Sequence, residues 1–364
     1  MRRVILHIGL PKTGSSSIQA SLSGVDTGDV RVVRFGENLF HNLPLSTLLS
    51  DDPARMRQHL NRGHSPEAIA ARRARWDTAF TEELARDTPT LVLSSEVISN
   101  AGDAALLRLK DRIEGSGRRL EVFGYVREPM GLFGSALQQR LKQFDRLPRD
   151  FDPFQYRKRL AVWVDALPPD QLTLRDFVPA NLTGSSPVRD FADFCAIPGD
   201  AYREKQRNES LNAEVTRLLY IFNGAMAVST GRPRLAEARK RFLRLLKQSI
   251  DGPRFKTPLA CIDPERLALE LEWLAAHTGL DYRAHVAEHR HAMLTAPLDD
   301  EMRRLAPETR ARLDALVNEA GLTLPPGAGP ARQLAALYLD LLAPETPAPR
   351  NSRIKKLLRT FRLR

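Results

Sequence analysis

The sequence predicts an α/β fold, a parallel sheet flanked by helices, followed by a mainly helical C-terminal half. Three observations predict it. Short apolar runs bounded by turn residues alternate in the first half with segments of helical periodicity. Strands separated by helices favour a parallel sheet covered on both faces. From about residue 208 the strand signals stop and amphipathic helices follow one another.

In order, strands are expected at Arg3 to Ile8, Val30 to Phe35, Thr90 to Ser94, Leu120 to Val126 and Gln171 to Arg175. Helices are expected from Ser15, over Pro66 to Arg86, Ala104 to Ile113, Pro129 to Phe144 and Phe154 to Leu167. The later helices are Leu211 to Ala227, Arg234 to Ser249, Pro264 to His277, Pro307 to Ala320 and Ala331 to Leu342. Pro- and Gly-rich stretches at 324–330 and 344–349 read as spacers. This gives a sheet-bearing core over 1–207, a helical extension packed on it over 208–343, and a linker with a tail over 344–364. Ligands of such sheets bind beyond the carboxyl ends of the strands.

Composition narrows the class. Among 364 residues, 42% are hydrophobic and 27% charged, which excludes wholesale disorder and fibrous chains. No apolar run approaches the roughly 18 to 20 residues of a membrane helix. The start has two arginines but no signal-like apolar region, so a cytoplasmic protein is expected. Cys195 and Cys261 are too few for a disulfide scaffold or a cysteine zinc site and read as buried or incidental thiols. Of the net charge of +11, seven charges lie in 350–364, so charge alone does not imply nucleic acid. In that tail Ile354, Leu357, Leu358 and Phe361 fall at helical spacing among basic residues. Such a helix suits an anionic membrane surface, here the inner face, or a partner groove, and equally reads as a frayed tail packed on its own body.

The strongest local signal is Gly9-Leu10-Pro11-Lys12-Thr13-Gly14-Ser15-Ser16-Ser17, placed after the first strand and opening a helix. A glycine-bearing turn there aims backbone N–H groups at an anion, and the helix N-terminus adds its dipole. Taken alone, the segment also fits a capped strand-to-helix turn. Gly9 and Gly14 have the separation of the nucleotide-triphosphatase loop G-x-x-x-x-G-K-[ST], but Ser15 stands at the lysine position and Lys12 precedes the second glycine. That weakens a phosphoryl-transfer reading, which uses the displaced lysine with a metal ion. A less charged sulfuryl group can be transferred with a lysine at the bridging oxygen and N–H donors on the leaving phosphate, without a metal. The second signal is Phe123-Gly124-Tyr125-Val126-Arg127-Glu128-Pro129, a strand ending in an arginine before a helix, with Ser135 eight residues after Arg127. Arg127 would face the ligand side of the sheet, or else pair with a nearby carboxylate.

Together these segments resemble the sulfotransferases that use 3′-phosphoadenosine 5′-phosphosulfate (PAPS). Pro11 to Ser16 resembles their 5′-phosphosulfate loop, and Arg127 with Ser135 has the spacing of their 3′-phosphate site. The resemblance covers roughly 1–212 and implies a P-loop-type sheet, PAPS as donor and no required metal. By this resemblance Lys12 is catalytic, and Lys12, Thr13, Gly14, Ser15, Ser16 and Ser17 hold the 5′ side. Arg127 and Ser135 hold the 3′-phosphate. Lys205 and Arg207, in the basic segment before Asn208-Glu209-Ser210, are where the family brings residues over the cofactor. They also read as a solvated loop before a helix cap. His7-Ile8-Gly9 and Asn208 to Leu211 look more like bacterial members acting on saccharides than like steroid and phenol enzymes, which implies a saccharide or glycolipid acceptor. The threonine-rich loop ending of the family is all serine here, which keeps the hydroxyl donors.

Transfer to an alcohol needs a general base. Family members use a histidine or a glutamate near the third strand, and Leu93-Ser94-Ser95-Glu96 offers Glu96 at its end. His7 is the rival, with a core role as its plainer reading. His59 and His64 lie in an arginine-rich stretch, and nothing in the sequence fixes them in space. His285, His289 and His291 have partial metal-face spacing without the rest of a zinc motif, and a solvated helix face explains them better. Two other functions stay open: a metal-dependent P-loop small-molecule kinase, and a non-catalytic nucleotide-binding partner of a polysaccharide assembly system.

Overall fold

The computed structural model describes residues 2–143, 146–147, 151–205, 210–226, 233–256, 263–289 and 298–342. Arg207, Cys261, His291, the 344–349 spacer, the basic tail and the side chain of His289 lie outside the described residues.

Five strands, β1 (Arg3–Ile8), β2 (Val30–Val32), β3 (Thr90–Ser95), β4 (Arg119–Val126) and β5 (Leu172–Asp176), form one parallel sheet in the order β2-β3-β1-β4-β5. The α/β expectation holds, with β1 at the centre. Its residues Val4, Ile5, Leu6 and Ile8 are fully buried, as a strand covered on both faces requires. The register sets His7 opposite Ser94 on one side and Phe123 on the other. β2 ends three residues earlier than expected. Val33 still donates to Val92 O at 3.0 Å, but Phe35 and Asn38 then pair with each other and turn the chain away.

The chain forms two compact units, neither continuous in sequence: 1–132 with 154–208 and 264–286, and 133–153 with 209–263 and 287–364. One crossing, at 208–209, falls where the helical extension was expected to begin. The others assign 264–286 to the sheet-bearing unit and 133–153 to the helical one.

In the first unit, α1 (Ser15–Leu22) and α8 (Pro187–Phe194) pack together. Ile18, Leu22, Val188, Phe191 and Cys195 join Ile5, Val92, Phe123 and Tyr125 in one buried cluster. Helix α8 begins because Ser186 Oγ accepts from Val188 and Arg189 N–H and Pro187 takes the first helical position. Helices α2 (Asn42–Leu49) and α3 (Arg57–Leu60) follow β2, and α4 (Pro66–Ala85) packs on α2. Helix α5 (Asp103–Gly115) packs on β4 and on α7 (Tyr156–Ala166), and α11 (Pro264–Thr278) lies on α7 through Leu267, Leu271 and Leu274. Helices α6 (Pro129–Lys142) and α12 (Arg283–His289) each run across a division between the units.

The second unit holds α9 (Ala213–Ala225), α10 (Pro233–Ser249), α13 (Leu298–Arg303), α14 (Pro307–Glu319) and α15 (Pro330–Leu342). Helix α15 packs on α9, α10 and α14 and is buried continuously from Gln333 to Leu339, the pattern of a central helix. Phe222, Phe242 and Tyr338 meet there with ring centroids 4.8 to 5.6 Å apart. Among the described residues, no helix is long and apolar enough to cross a membrane.

Candidate functional site

The strand order decides where a ligand can enter. The connection leaving β1 crosses to β2 on one side of the sheet, while the one leaving β4 goes to β5 on the other. Two adjacent parallel strands whose connections diverge leave a crevice at their carboxyl ends. The loop 9–17 follows β1 and Arg127 follows β4, so both border this crevice.

The loop is shaped to present its backbone. Lys12 (φ 68°) and Gly14 (φ 83°) both take the left-handed conformation. Gly14 must be glycine, since a Cβ there would lie 2.7 Å from Pro187 Cγ. The Gly14 carbonyl accepts from Ser17 and Ile18 N–H at 2.9 and 3.1 Å and so starts α1. Among the described residues, the N–H groups of Thr13, Gly14, Ser15 and Ser16 have no acceptor in the protein. Four consecutive open donors at a helix N-terminus form an anion cradle.

The side chains divide their roles. The buried Thr13 hydroxyl donates to Leu10 O at 2.8 Å, so Thr13 offers a ligand its N–H rather than its side chain. Ser15 Oγ is buried without a hydrogen-bond partner, an atom that a bound oxyanion would satisfy. Ser16 Oγ donates to Glu96 Oε1 at 3.1 Å, and Ser17 is buried beneath the turn.

Three charges gather over this cradle. Arg127 Nη1 donates to Lys12 O at 3.0 Å, and its guanidinium stands 5.8 Å from the centre of the Phe177 ring. The Lys12 ammonium is held below its ordinary pKa, first by burial and then by the Arg127 charge, with Glu96 pulling it partly back. Two cations therefore outweigh one carboxylate beside the open N–H groups, an arrangement suited to a multiply charged anion. Glu96 follows β3 and is exposed; its N–H donates to Asn42 Oδ1 at 3.2 Å. The Ser95 hydroxyl donates to the same Oδ1 at 2.9 Å, so Asn42 fixes the end of β3.

Comparison with protein-family models, characterised proteins and solved structures found no match. The site is therefore read from its own chemistry.

Several supporting residues carry no recognisable sequence signal. Tyr156 donates to Arg127 O at 2.8 Å, and Tyr282 donates to Val126 O at 3.1 Å and to Asp176 Oδ1 at 2.6 Å. These bonds pin the β4–α6 connection from α7 and from the segment before α12. Glu128 Oε1 accepts from Gly131 N–H at 2.6 Å, capping α6, and His285 Nε2 stands 3.2 Å from Glu128 Oε2. Deeper in the unit, Tyr125 and Arg175 both donate to Asp190 Oδ2, at 2.6 and 2.8 Å. Burial pushes the Asp190 pKa up, but these bonds outweigh it and hold the carboxyl below its ordinary value.

The remaining candidates separate from the crevice or lie elsewhere in the chain. Ser135 stands on α6 two turns past Arg127, in the part of that helix assigned to the second unit. Lys205 N–H donates to Ser21 Oγ at 2.8 Å, at the end of α1 away from the loop, about 9 Å along the axis from Ser15. His7 is fully buried against Phe191 and Phe123, with Nδ1 2.7 Å from Ser94 Oγ. Burial lowers its pKa to about 3, so it is a neutral core residue rather than a base facing solvent. The structure does fix His59 and His64: Thr47 donates to Leu43 O, so its oxygen accepts from His59 Nε2–H at 2.8 Å. His59 Nδ1 then accepts from His64 Nδ1–H at 3.0 Å.

Proposed function

We propose that this protein transfers a sulfuryl group from PAPS to a hydroxyl acceptor. The observation that carries the reading is the run of four open backbone N–H groups at the start of α1, bordered by Lys12 and Arg127 and facing a carboxylate. The donor set fits PAPS: the cradle takes the 5′-phosphate oxygens, Ser15 Oγ gains the partner it lacks, and Arg127 takes the 3′-phosphate. As the sulfur–oxygen bond to the leaving phosphate breaks, Lys12 neutralises the charge growing on the bridging oxygen. The acceptor oxygen forms the new bond to sulfur and gives its proton to Glu96. The bond made and the bond broken are both sulfur–oxygen bonds, so no oxidant or reductant is involved. The saccharide or glycolipid acceptor implied by the resemblance agrees with this chemistry, and membrane contact through 350–364 would bring the site to a lipid-borne acceptor.

The test is turnover of PAPS by the full chain and by Lys12→Ala. Loss of one charge-stabilising contact of this kind is expected to lower turnover by about 10² to 10³-fold, with little change in thermal stability. Unchanged turnover in the variant would contradict the assignment, and magnesium-dependent consumption of ATP in place of PAPS would favour a kinase.

A further inference from the structure

A cleft of about 600 Å³ opens beside Glu96 in the sheet-bearing unit, bounded by α2, by Met56 and Gln58 at the start of α3, by the turn Ile98–Asn100 and by the start of α5. Its uncharged polar groups are Asn42, Ser46, Ser50, Gln58 and Asn100, which stand with Glu96 among aliphatic side chains such as Leu49 and Val97. No aromatic residue is among those lining it.

The hydrogen bonds already made fix what each group has left to offer. A backbone N–H can only donate, so the Asn42 atom facing Glu96 N is Oδ1, and Nδ2 is the free end of that amide. Among the described residues Asn42 Nδ2 has no partner. Ser46 donates to Leu43 O at 3.1 Å and leans to Gln58 Oε1 at 3.3 Å, leaving Gln58 Nε2 as a donor. Asn100 Nδ2 donates to Ser99 Oγ at 3.4 Å, leaving Oδ1 as an acceptor. Ser16 occupies Glu96 Oε1, leaving Oε2 as an acceptor. At the rim, Arg108 pairs with Asp51 at 3.0 Å, so the two charges there cancel.

Unpaired amide donors and acceptors beside a single carboxylate match an uncharged ligand whose groups both donate and accept, which is what neighbouring hydroxyls do. A phenol brings one hydroxyl and would leave the other amide groups of this cleft without partners. Resting on the sulfuryl-transfer reading, we infer that this cleft takes a neutral glycoside through a vicinal diol: Glu96 receives the proton of one hydroxyl while Asn42 Nδ2 donates to the oxygen beside it, and Gln58 reads the next.

The test gives the full chain labelled PAPS with a pool of neutral methyl hexopyranosides or with 2-naphthol. Binding of adenosine 3′,5′-bisphosphate is measured in parallel. Label is expected on the glycosides and not on 2-naphthol. In Asn42→Asp, which keeps the oxygen that holds β3 and removes the donor, KM for the glycoside should rise about tenfold, the effect of one lost neutral hydrogen bond. The bisphosphate dissociation constant should stay the same. Gln58→Ala, at an exposed position, should raise KM similarly and keeps the test open if Asn42→Asp does not fold. Transfer to 2-naphthol in preference, bisphosphate binding with no glycoside labelled, or an unchanged KM in both variants would overturn the inference and leave the donor reading standing. Failure to bind the bisphosphate would remove the donor reading and this inference with it.

Discussion

Lys12 is held in a conformation that a lysine resists. Its φ of 68° costs a residue with a Cβ about 1 to 2 kcal/mol relative to glycine, and its ammonium is desolvated against Arg127. The left-handed turn carries the carbonyl that accepts from Arg127 and leads into the open N–H groups that follow, so strain at this residue shapes the site. Lys12→Gly and Lys12→Ala therefore separate strain from chemistry. The glycine variant should match or exceed the native stability by up to about 1 kcal/mol, while the alanine variant keeps the strain; both should lose turnover. Denaturant midpoints and turnover of the two variants check this, and a glycine variant clearly less stable than the alanine one would contradict the strain. The lysine, its place before Gly14 and the carboxylate at Glu96 are legible in the sequence because they sit at strand ends with a fixed spacing. The left-handed turn at Lys12, the diversion of the Thr13 hydroxyl to Leu10 and the partnership of Asn42 with Glu96 are not. The first two are set by the backbone turn itself, which many sequences can adopt, and the third joins residues 54 positions apart, which no local pattern encodes.

At the scale of elements, buried imidazoles tie β3 to β1 on one side and to the end of β2 on the other, besides the ladders. His7 meets Ser94 across the sheet, and His41 accepts from Ser94 N–H at 3.0 Å while donating to Val33 O at 2.8 Å. Burial lowers His7 to about 3 and His41 to about 4, against an ordinary histidine near 6.5. The unfolded chain therefore binds more protons below pH 6.5. The stability from keeping these rings neutral is complete above that pH and fades as pH falls toward 4 and then 3. Each ring should remove about 1.4 kcal/mol per pH unit in that window, and His59 and His64, also lowered, act in the same sense. Replacing His7 with Met should make the dependence of unfolding free energy on pH between 6 and 5 shallower by about 1.4 kcal/mol per unit; an unchanged slope would show that His7 does not titrate on unfolding. The strands themselves were readable because buried parallel strands are continuous apolar runs. Helices α8 and α2 were not expected: α8 is only eight residues long although Ser186 caps it, and the eight residues of α2, apolar and short, suit strand and helix alike.

Across the whole molecule, the sequence suggests a single change of character near residue 208, and the fold instead interleaves its two units. Pro264–Thr278 belongs with the sheet because Leu267, Leu271 and Leu274 bury against α7, a pairing set by tertiary packing rather than by the amphipathic pattern it shares with its neighbours. This interleaving brings Tyr282 to Val126 and Asp176, so a residue more than a hundred positions away helps set the Arg127 turn. The functional account needs that turn and the loop to act on one ligand. The measurement that tests this most directly is thermal unfolding of the full chain with adenosine 3′,5′-bisphosphate, against ATP with magnesium, repeated in Arg127→Ala. At about 100 times its dissociation constant, a ligand confined to the folded state adds about 2.7 kcal/mol. The account predicts stabilisation by the bisphosphate alone, lost in Arg127→Ala; stabilisation by ATP with magnesium alone, or by neither ligand, would contradict it.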